Sequence, residues 1–268
     1  MIKFIVSVGN NAVFNNYIGP CIKQLNVPTC IVQNSDNIVE SIFDKYNKGI
    51  DALQRTNGTQ IASDDAICFV HEDVKIIDPY FMAKVSTIFE QKPDVGLLGC
   101  VGTTHLYNHC AWYLNESGQM DRSSSNLHGH LMQELNNQKP YESVFGKSIG
   151  YYDDLCVVDG FFIVIRGDLI NRGLRFDNAV YSGYDFYDLD ICMQVLEMGY
   201  KIAVADILML HKSEGAGVNK PNWQVAKFAF QEKWKKKGKR FPITTNQFKH
   251  VDLNKPEKIN EDVTVIEI

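Results

Sequence analysis

Apolar residues along the first hundred positions alternate between two rhythms. Residues 3–8 form a continuous, β-branched run closed by Gly9-Asn10-Asn11, the pattern of a buried strand that ends in a turn. Residues 29–33 repeat it before Asn34-Ser35-Asp36, and residues 66–70 repeat it before His71-Glu72-Asp73. Between them Ile38, Val39, Ile42, Phe43, Tyr46, Ile50 and Leu53 recur at helical spacing. That helix is expected to break near Asn47-Lys48-Gly49 and to end at Asn57-Gly58. Asp78-Pro79 offers an N-cap carboxylate and a proline at the first helical position, for a helix running to Gln91. A further strand is expected over 95–100. Strands alternating with helices predict an α/β fold, a mostly parallel central sheet covered by helices. In such sheets ligands bind beyond the carboxyl ends of the strands, so the polar turns after the first three strands converge on one crevice.

The rhythm fails over 103–155, a stretch rich in His, Tyr, Asn, Ser and Gly. It is expected to be an irregular, functional segment. Order returns with an apolar strand over 157–165, interrupted by Asp159-Gly160. A helix then opens at Tyr187-Asp188-Leu189-Asp190 and ends at Met198, with Gly199 as its C-cap. A last strand over 201–205 leads to His211. No internal repeat is visible. The reading is one domain over 1–242 followed by a charged tail over 243–268, in which residues 263–266 have the composition of an edge strand.

Composition narrows the classes. In 268 residues, 45% are hydrophobic and 11% aromatic, which excludes disorder as the dominant state. The net charge of −5 argues against a general nucleic-acid binder. Residues 232–240 hold six basic residues against one acidic, a local +5, so the rest of the chain carries −10. There Trp223, Phe228, Phe230 and Trp234 interleave with lysines. The first reading is a surface helix with solvated lysines, and the second is weak peripheral contact with an anionic membrane surface. Seven cysteines without a C-x-x-C pair read as buried hydrophobes in a reducing compartment, not as disulfides or a zinc site. The opening apolar run is too short for a signal sequence, and no run reaches the roughly 18 apolar residues that span a bilayer. A soluble, cytoplasmic protein, at most peripheral to the inner face of the membrane, is expected.

The chemistry sits at the strand ends. Acidic residues in His71-Glu72-Asp73 offer oxygens of the kind hard divalent cations take, although a solvated turn has the same composition. Asp185, Asp188 and Asp190 place three carboxylates within six residues at a helix N-terminus, where the backbone favours negative charge. A carboxylate held there can accept a proton from a hydroxyl, and an ordinary pKa near 4 keeps it ionised. Capping explains one of the three, and their mutual repulsion calls for a cation or substrate donor. His211 closes an apolar run as either a structural residue or a ligand. His105 and His109, and His128 and His130, are paired without supporting Cys or acidic partners and read as loop residues, substrate-facing at most. Trp112 and Tyr113 have the character to stack on a sugar or to close a core.

From Met1 to about Pro242 the order of these features resembles the GT-A glycosyltransferases, particularly the family-2-like group. Tyr46-Asn47-Lys48-Gly49-Ile50 resembles that group's helical Tyr-Asn-x-Gly element. Cys68 through Val74 resembles its metal motif, in the branch where His replaces the first Asp of D-x-D. Asp159-Gly160-Phe161-Phe162 through Arg175-Phe176-Asp177 resembles the acceptor-side strand and the Phe-Asp beyond it. Tyr187-Asp188-Leu189-Asp190, Gly199-Tyr200-Lys201-Ile202 and His211 resemble the E-D-x-D helix, its exit and the late His.

The resemblance implies a GT-A, Rossmann-like fold that transfers a sugar from a nucleotide-diphosphate sugar to an acceptor hydroxyl. The acceptor is a glycan, a lipid-linked saccharide or a protein, the centre is inverted, and Mn²⁺ or Mg²⁺ assists. It places Asp73 and His211 on the metal. Val8, Asn10, Asn34, Asn47, His71 and Glu72 would face the donor. Asp188 would be the base, and Trp112, Asp159, Gly160 and Asp185 would shape the acceptor pocket. Two departures stand out: His71 removes a charge from the metal motif, and Tyr187 stands where the group has Glu. Two other classes share such a fold, a nucleotide-sugar-binding protein that transfers nothing and a sugar-phosphate nucleotidyltransferase. The latter normally has a Gly-rich basic loop after strand one, which Gly9-Asn10-Asn11 lacks.

Overall fold

The computed structural model describes residues 1–34, 40–56, 58, 60–135, 138–146, 149–213, 218 and 220–249. Ile38, Val39 and Asn57, and the apolar tetrad at 263–266, lie outside these residues. The first half of the chain forms β1 (Ile2–Val8), α1 (Asn11–Asn16), α2 (Ile18–Leu25), β2 (Thr29–Gln33), α3 (Ile42–Arg55), β3 (Ala66–His71), β4 (Val74–Ile76), α4 (Phe81–Gln91), β5 (Val95–Gly99) and β6 (Val101–Thr103). The second half adds β7 (Leu127–Leu135), β8 (Tyr141–Phe145), β9 (Val157–Val158), β10 (Phe162–Arg166), α5 (Gly167–Asn171), α6 (Tyr187–Glu197), β11 (Lys201–Val204), β12 (Met209–Ser213) and α7 (Pro221–Lys236).

The central sheet has the order β11-β5-β10-β3-β1-β2, and β10 alone runs antiparallel. Every residue of β1 and β5 is buried, as strands covered on both faces must be. Register puts the ends together: Ser7 pairs with His71, and Val8 pairs with Gln33. The antiparallel β10 starts at that same edge, with Phe162 opposite Val70. Asp159-Gly160, immediately before it, therefore arrives beside His71.

Residues 103–155 are irregular in part: 104–126 holds no named helix or strand, whereas β7 and β8 join a second sheet, β4-β12-β7-β6-β9, with β8 added on β7. The period was hidden because β7 carries polar residues inside. His130 is buried between the carboxylates of Glu142 and Asp206, each 2.9 Å from a ring nitrogen. Gly129, at φ +104°, is needed where a Cβ would lie 2.0 Å from the Cys100 carbonyl. The chain crosses between the sheets five times, at Glu72-Asp73, over 77–94, at Cys100, at Asp159–Phe161 and over 205–208. Two of the five crossings carry candidate site residues.

Other local expectations also change. α3 is continuous through Asn47-Lys48-Gly49. Gly49 permits close packing rather than a break, since a Cβ there would sit 2.3 Å from Ile5 Cγ2. α4 begins at Phe81, three residues past Asp78, whose Oδ1 accepts from the Tyr80 amide at 2.8 Å. On α7 the lysines are not uniformly solvated. Lys233 donates to Asp177 and Asp190 at 2.7 and 2.8 Å, and the buried Lys239 donates to the Gln247 carbonyl at 2.7 Å. Phe230 and Trp234 are fully buried, while Val225, Phe228, Lys235 and Lys236 are exposed. All seven cysteines are free and six are buried. Among the described residues no helix is long and apolar enough to cross a membrane.

Candidate active site

The edge where β1 and β3 end is organised by Glu72. Its Oε2 accepts from the backbone amides of Gly9 and Asn10, the latter at 2.7 Å, and so ties the loop after β1 to the end of β3. Asn10 in turn caps α1, its Oδ1 accepting from Ala12 and Val13 at 2.9 and 3.3 Å. The Val8 carbonyl accepts from Lys45 Nζ at 3.1 Å. Lys45 is fully buried, which lowers its pKa, and the charges of Glu72 and Glu40 work in the opposite direction. Its one readable signal was a lysine inside the apolar stripe of α3. Asn34 Oδ1 accepts from the Glu40 amide at 3.4 Å. Asn47 does not face the crevice as expected. Its amide clamps the backbone of Phe176, donating at 2.7 Å and accepting at 3.0 Å, which pins α3 to that segment.

Three side chains from different elements meet just beyond. His71 ends β3, Asp73 lies in the turn to β4, and His211 is on β12, paired with Val74. One potential ligand atom from each lies within 4.8 Å of the others. His211 Nε2 is 3.7 Å from Asp73 Oδ2, and His71 Nδ1 is 3.9 Å from Asp73 Oδ1. Asp73 Oδ1 is buried without a hydrogen-bond partner. Burial, with Glu72 and Asp159 adding to it, pushes the Asp73 carboxyl up to about 7. Burial pushes His71 down to about 4 and His211 down to about 3. Both rings are then neutral, the form that can ligate. An orphaned carboxylate oxygen between neutral imidazoles fits a divalent cation. Phe161 stacks on His211 at 4.5 Å and holds its plane.

His211 also lines a cavity of about 400 Å³ that opens beside the cluster. Asp159 and Asp188 share its wall with Asp185, and Trp112, Phe145 and Trp223 line it as well. Asp188 lines the cavity; Asp73 does not, but it lies 3.7 Å from His211, which does, and His71 contacts Tyr187, another lining residue. The Tyr187 hydroxyl is 2.7 Å from His71 Nε2. Phe186, at φ +68°, turns the chain into α6 so that Asp188 faces the cavity. Gly160 makes room: a Cβ there would lie 2.2 Å from the Tyr187 hydroxyl and 2.7 Å from Asp188 Cβ. Asp188 does not keep its ordinary acidity. Burial, then the charge of Asp159, raises it to about 7, and burial raises Asp159 to about 6.

The three-carboxylate cluster is divided. Asp190 points away from the cavity and accepts from Tyr181, Trp234, Gln194 and Lys233 at 3.0, 2.9, 2.9 and 2.8 Å. None of His105, His109, His128 and His130 lines the cavity. His109 bonds the Asn115 carbonyl at 2.9 Å, and His128 stacks on Tyr152 at 3.7 Å.

Fold and cleft together describe an α/β protein with carboxylates lining an aromatic cavity beside a cluster that could hold a cation. The chain belongs to the glycosyltransferase-like family, whose model matches residues 3–242. Among solved structures, GalNAc-T7 with UDP, GalNAc and Mn²⁺ is similar over 81% of this chain and 44% of that one, with 7% identity and a TM-score of 0.49. This chain thus spans less than half of that protein's length. A structure assigned as a glucose-1-phosphate thymidylyltransferase from Bacillus anthracis, in complex with a sucrose, is similar over 85% of this chain and 94% of that one, with 11% identity and a TM-score of 0.37. No curated protein matches the chain.

Proposed function

We propose that residues 1–242 act as one unit that moves a sugar from a nucleotide-diphosphate sugar to an acceptor hydroxyl, with inversion, in glycan or polysaccharide synthesis. The observation that carries this reading is Asp188, a carboxylate raised to about 7 and facing a cavity beside the His71-Asp73-His211 cluster. A general base works best with a pKa near the working pH, and Asp188 meets that condition better than an ordinary aspartate. Its carboxylate takes the proton from the acceptor hydroxyl as that oxygen attacks the anomeric carbon. The bond from that carbon to the diphosphate breaks on the opposite face, with oxocarbenium-like charge building on the sugar. Attack from behind the leaving group gives inversion.

A divalent cation, Mn²⁺ or Mg²⁺, held by Asp73 and His211 would supply positive charge for the departing diphosphate. The loop at Val8 and Asn10, closed by Glu72, forms the donor edge, with His71 beside it and Asn34 at its outer end. Trp112 offers an aromatic wall for an acceptor saccharide, with Asp159, Gly160 and Asp185 shaping the floor. The exposed Phe228, Lys235 and Lys236 of α7 support weak contact with an anionic membrane face from the cytoplasmic side.

The test is a release assay on the full chain, over a panel of nucleotide-sugar donors with Mn²⁺ and Mg²⁺. Free nucleoside diphosphate and a glycosylated acceptor of inverted configuration are expected. A donor that binds and is never cleaved would leave a binding protein instead, and release of pyrophosphate from a nucleoside triphosphate would indicate a nucleotidyltransferase.

A further inference from the structure

Tyr187 opens α6, and its ring packs against those of Phe43, Tyr46 and Phe176. Burial holds the phenol far above its usual pKa, so it keeps its proton and must place it. Among the described residues its hydroxyl's partner is His71 Nε2, at 2.7 Å. The other ring nitrogen, Nδ1, faces Asp73 Oδ1 at 3.9 Å, the buried oxygen that has no partner. The two neutral tautomers of His71 are therefore unequal. With the proton on Nε2, the imidazole donates to Tyr187 and the buried phenol hydrogen has no acceptor among the described residues. With the proton on Nδ1, the phenol donates to Nε2 and Nδ1–H faces Asp73. The buried phenol therefore favours the second arrangement.

We propose that Tyr187 is a positioning residue that holds His71 as its Nδ1–H tautomer, so that His71 turns a hydrogen-bond donor toward Asp73 and does not ligate, and Asp73 and His211 are the protein's metal ligands. A nitrogen that carries a proton cannot ligate. The remaining coordination positions then fall to diphosphate oxygens and waters, as hard cations prefer. The ligand set rests on the metal reading given above, but the tautomer does not.

Two measurements test it. Long-range ¹H–¹⁵N NMR of the metal-free full chain, labelled at histidine and assigned with His71→Asn, reads the tautomer directly. The wild type is expected to bear the His71 proton on Nδ1, and Tyr187→Phe is expected to populate the Nε2–H form. A wild-type proton on Nε2 overturns the proposal. In titrations with Mn²⁺ alone, His71→Asn should bind within about threefold of wild type, whereas Asp73→Asn and His211→Ala should each weaken binding by at least about tenfold. Tyr187→Phe should not weaken binding, although loss of an ordinary support for a metal-ligating His costs about 10- to 100-fold. His71→Asn binding as poorly as His211→Ala removes His71 from the donor role. A wild type that binds no Mn²⁺ defeats the metal reading, while the NMR spectrum still decides the tautomer.

Discussion

Asp188 and Asp190 sit two residues apart in the first turn of one helix, yet they inhabit different chemistries. Asp190 is buried on the side of α6 that meets α7, and four donors occupy its two oxygens. A carboxylate has about four acceptor sites, so nothing is left over. Asp188 faces the cavity, accepts from the Leu189 amide at 2.9 Å, and meets the like charge of Asp159. The lesson is that a site carboxylate is marked by spare acceptor capacity and a raised pKa, and a structural one by saturation.

The largest expected effect comes from Asp188→Asn, which should lower transfer by about 10²- to 10⁴-fold while donor binding persists. The same variant should melt no lower than wild type at pH 8. The reason is linkage: a carboxyl raised to about 7 in the fold holds its proton more tightly than in the unfolded chain, where its pKa is about 4. Its contribution to stability therefore falls as pH rises through that window, and Asn escapes the loss. Next is Asp190→Ala, which strips partners from Lys233, Trp234 and Tyr181 and should cost at least about 3 kcal/mol in chemical denaturation. Equal destabilisation by the two substitutions would erase the distinction between the carboxylates.

Gly160→Ala probes the cavity side again. Its Cβ must displace Tyr187 or Asp188, and a misplaced base should lower kcat/KM by about 10²-fold. The smallest effect is expected from Asp159→Asn. With the neighbouring negative charge gone, the Asp188 pKa falls, and the acid limb of kcat/KM moves down from near pH 7 by less than about one unit. A limb that stays in place would assign the raised pKa of Asp188 to burial alone.

Strands β1, β3 and β5 were legible because burial on both faces leaves an unbroken apolar run. β7 was not, since His130 is a buried polar residue whose partners, Glu142 and Asp206, come from elsewhere in the chain. Asn47 had the right residue type at the right place, but the Phe176 backbone, 129 positions away, claims its amide. Lys45 drew no attention, because a lysine inside an apolar stripe does not by itself tell that its amine is buried against the Val8 carbonyl.

The amino-acid order by itself determined the strand–helix alternation, the polar turns at the strand ends and the presence of carboxylates near one crevice, because those depend on periodicity over a few residues. Tertiary structure decided which of those carboxylates remain unsaturated, how far their acidity moves and which imidazole nitrogen faces Asp73. Lone pairs and protons are matched in space, and Asp190 is satisfied by Lys233 and Trp234 from 43 and 44 positions along the chain.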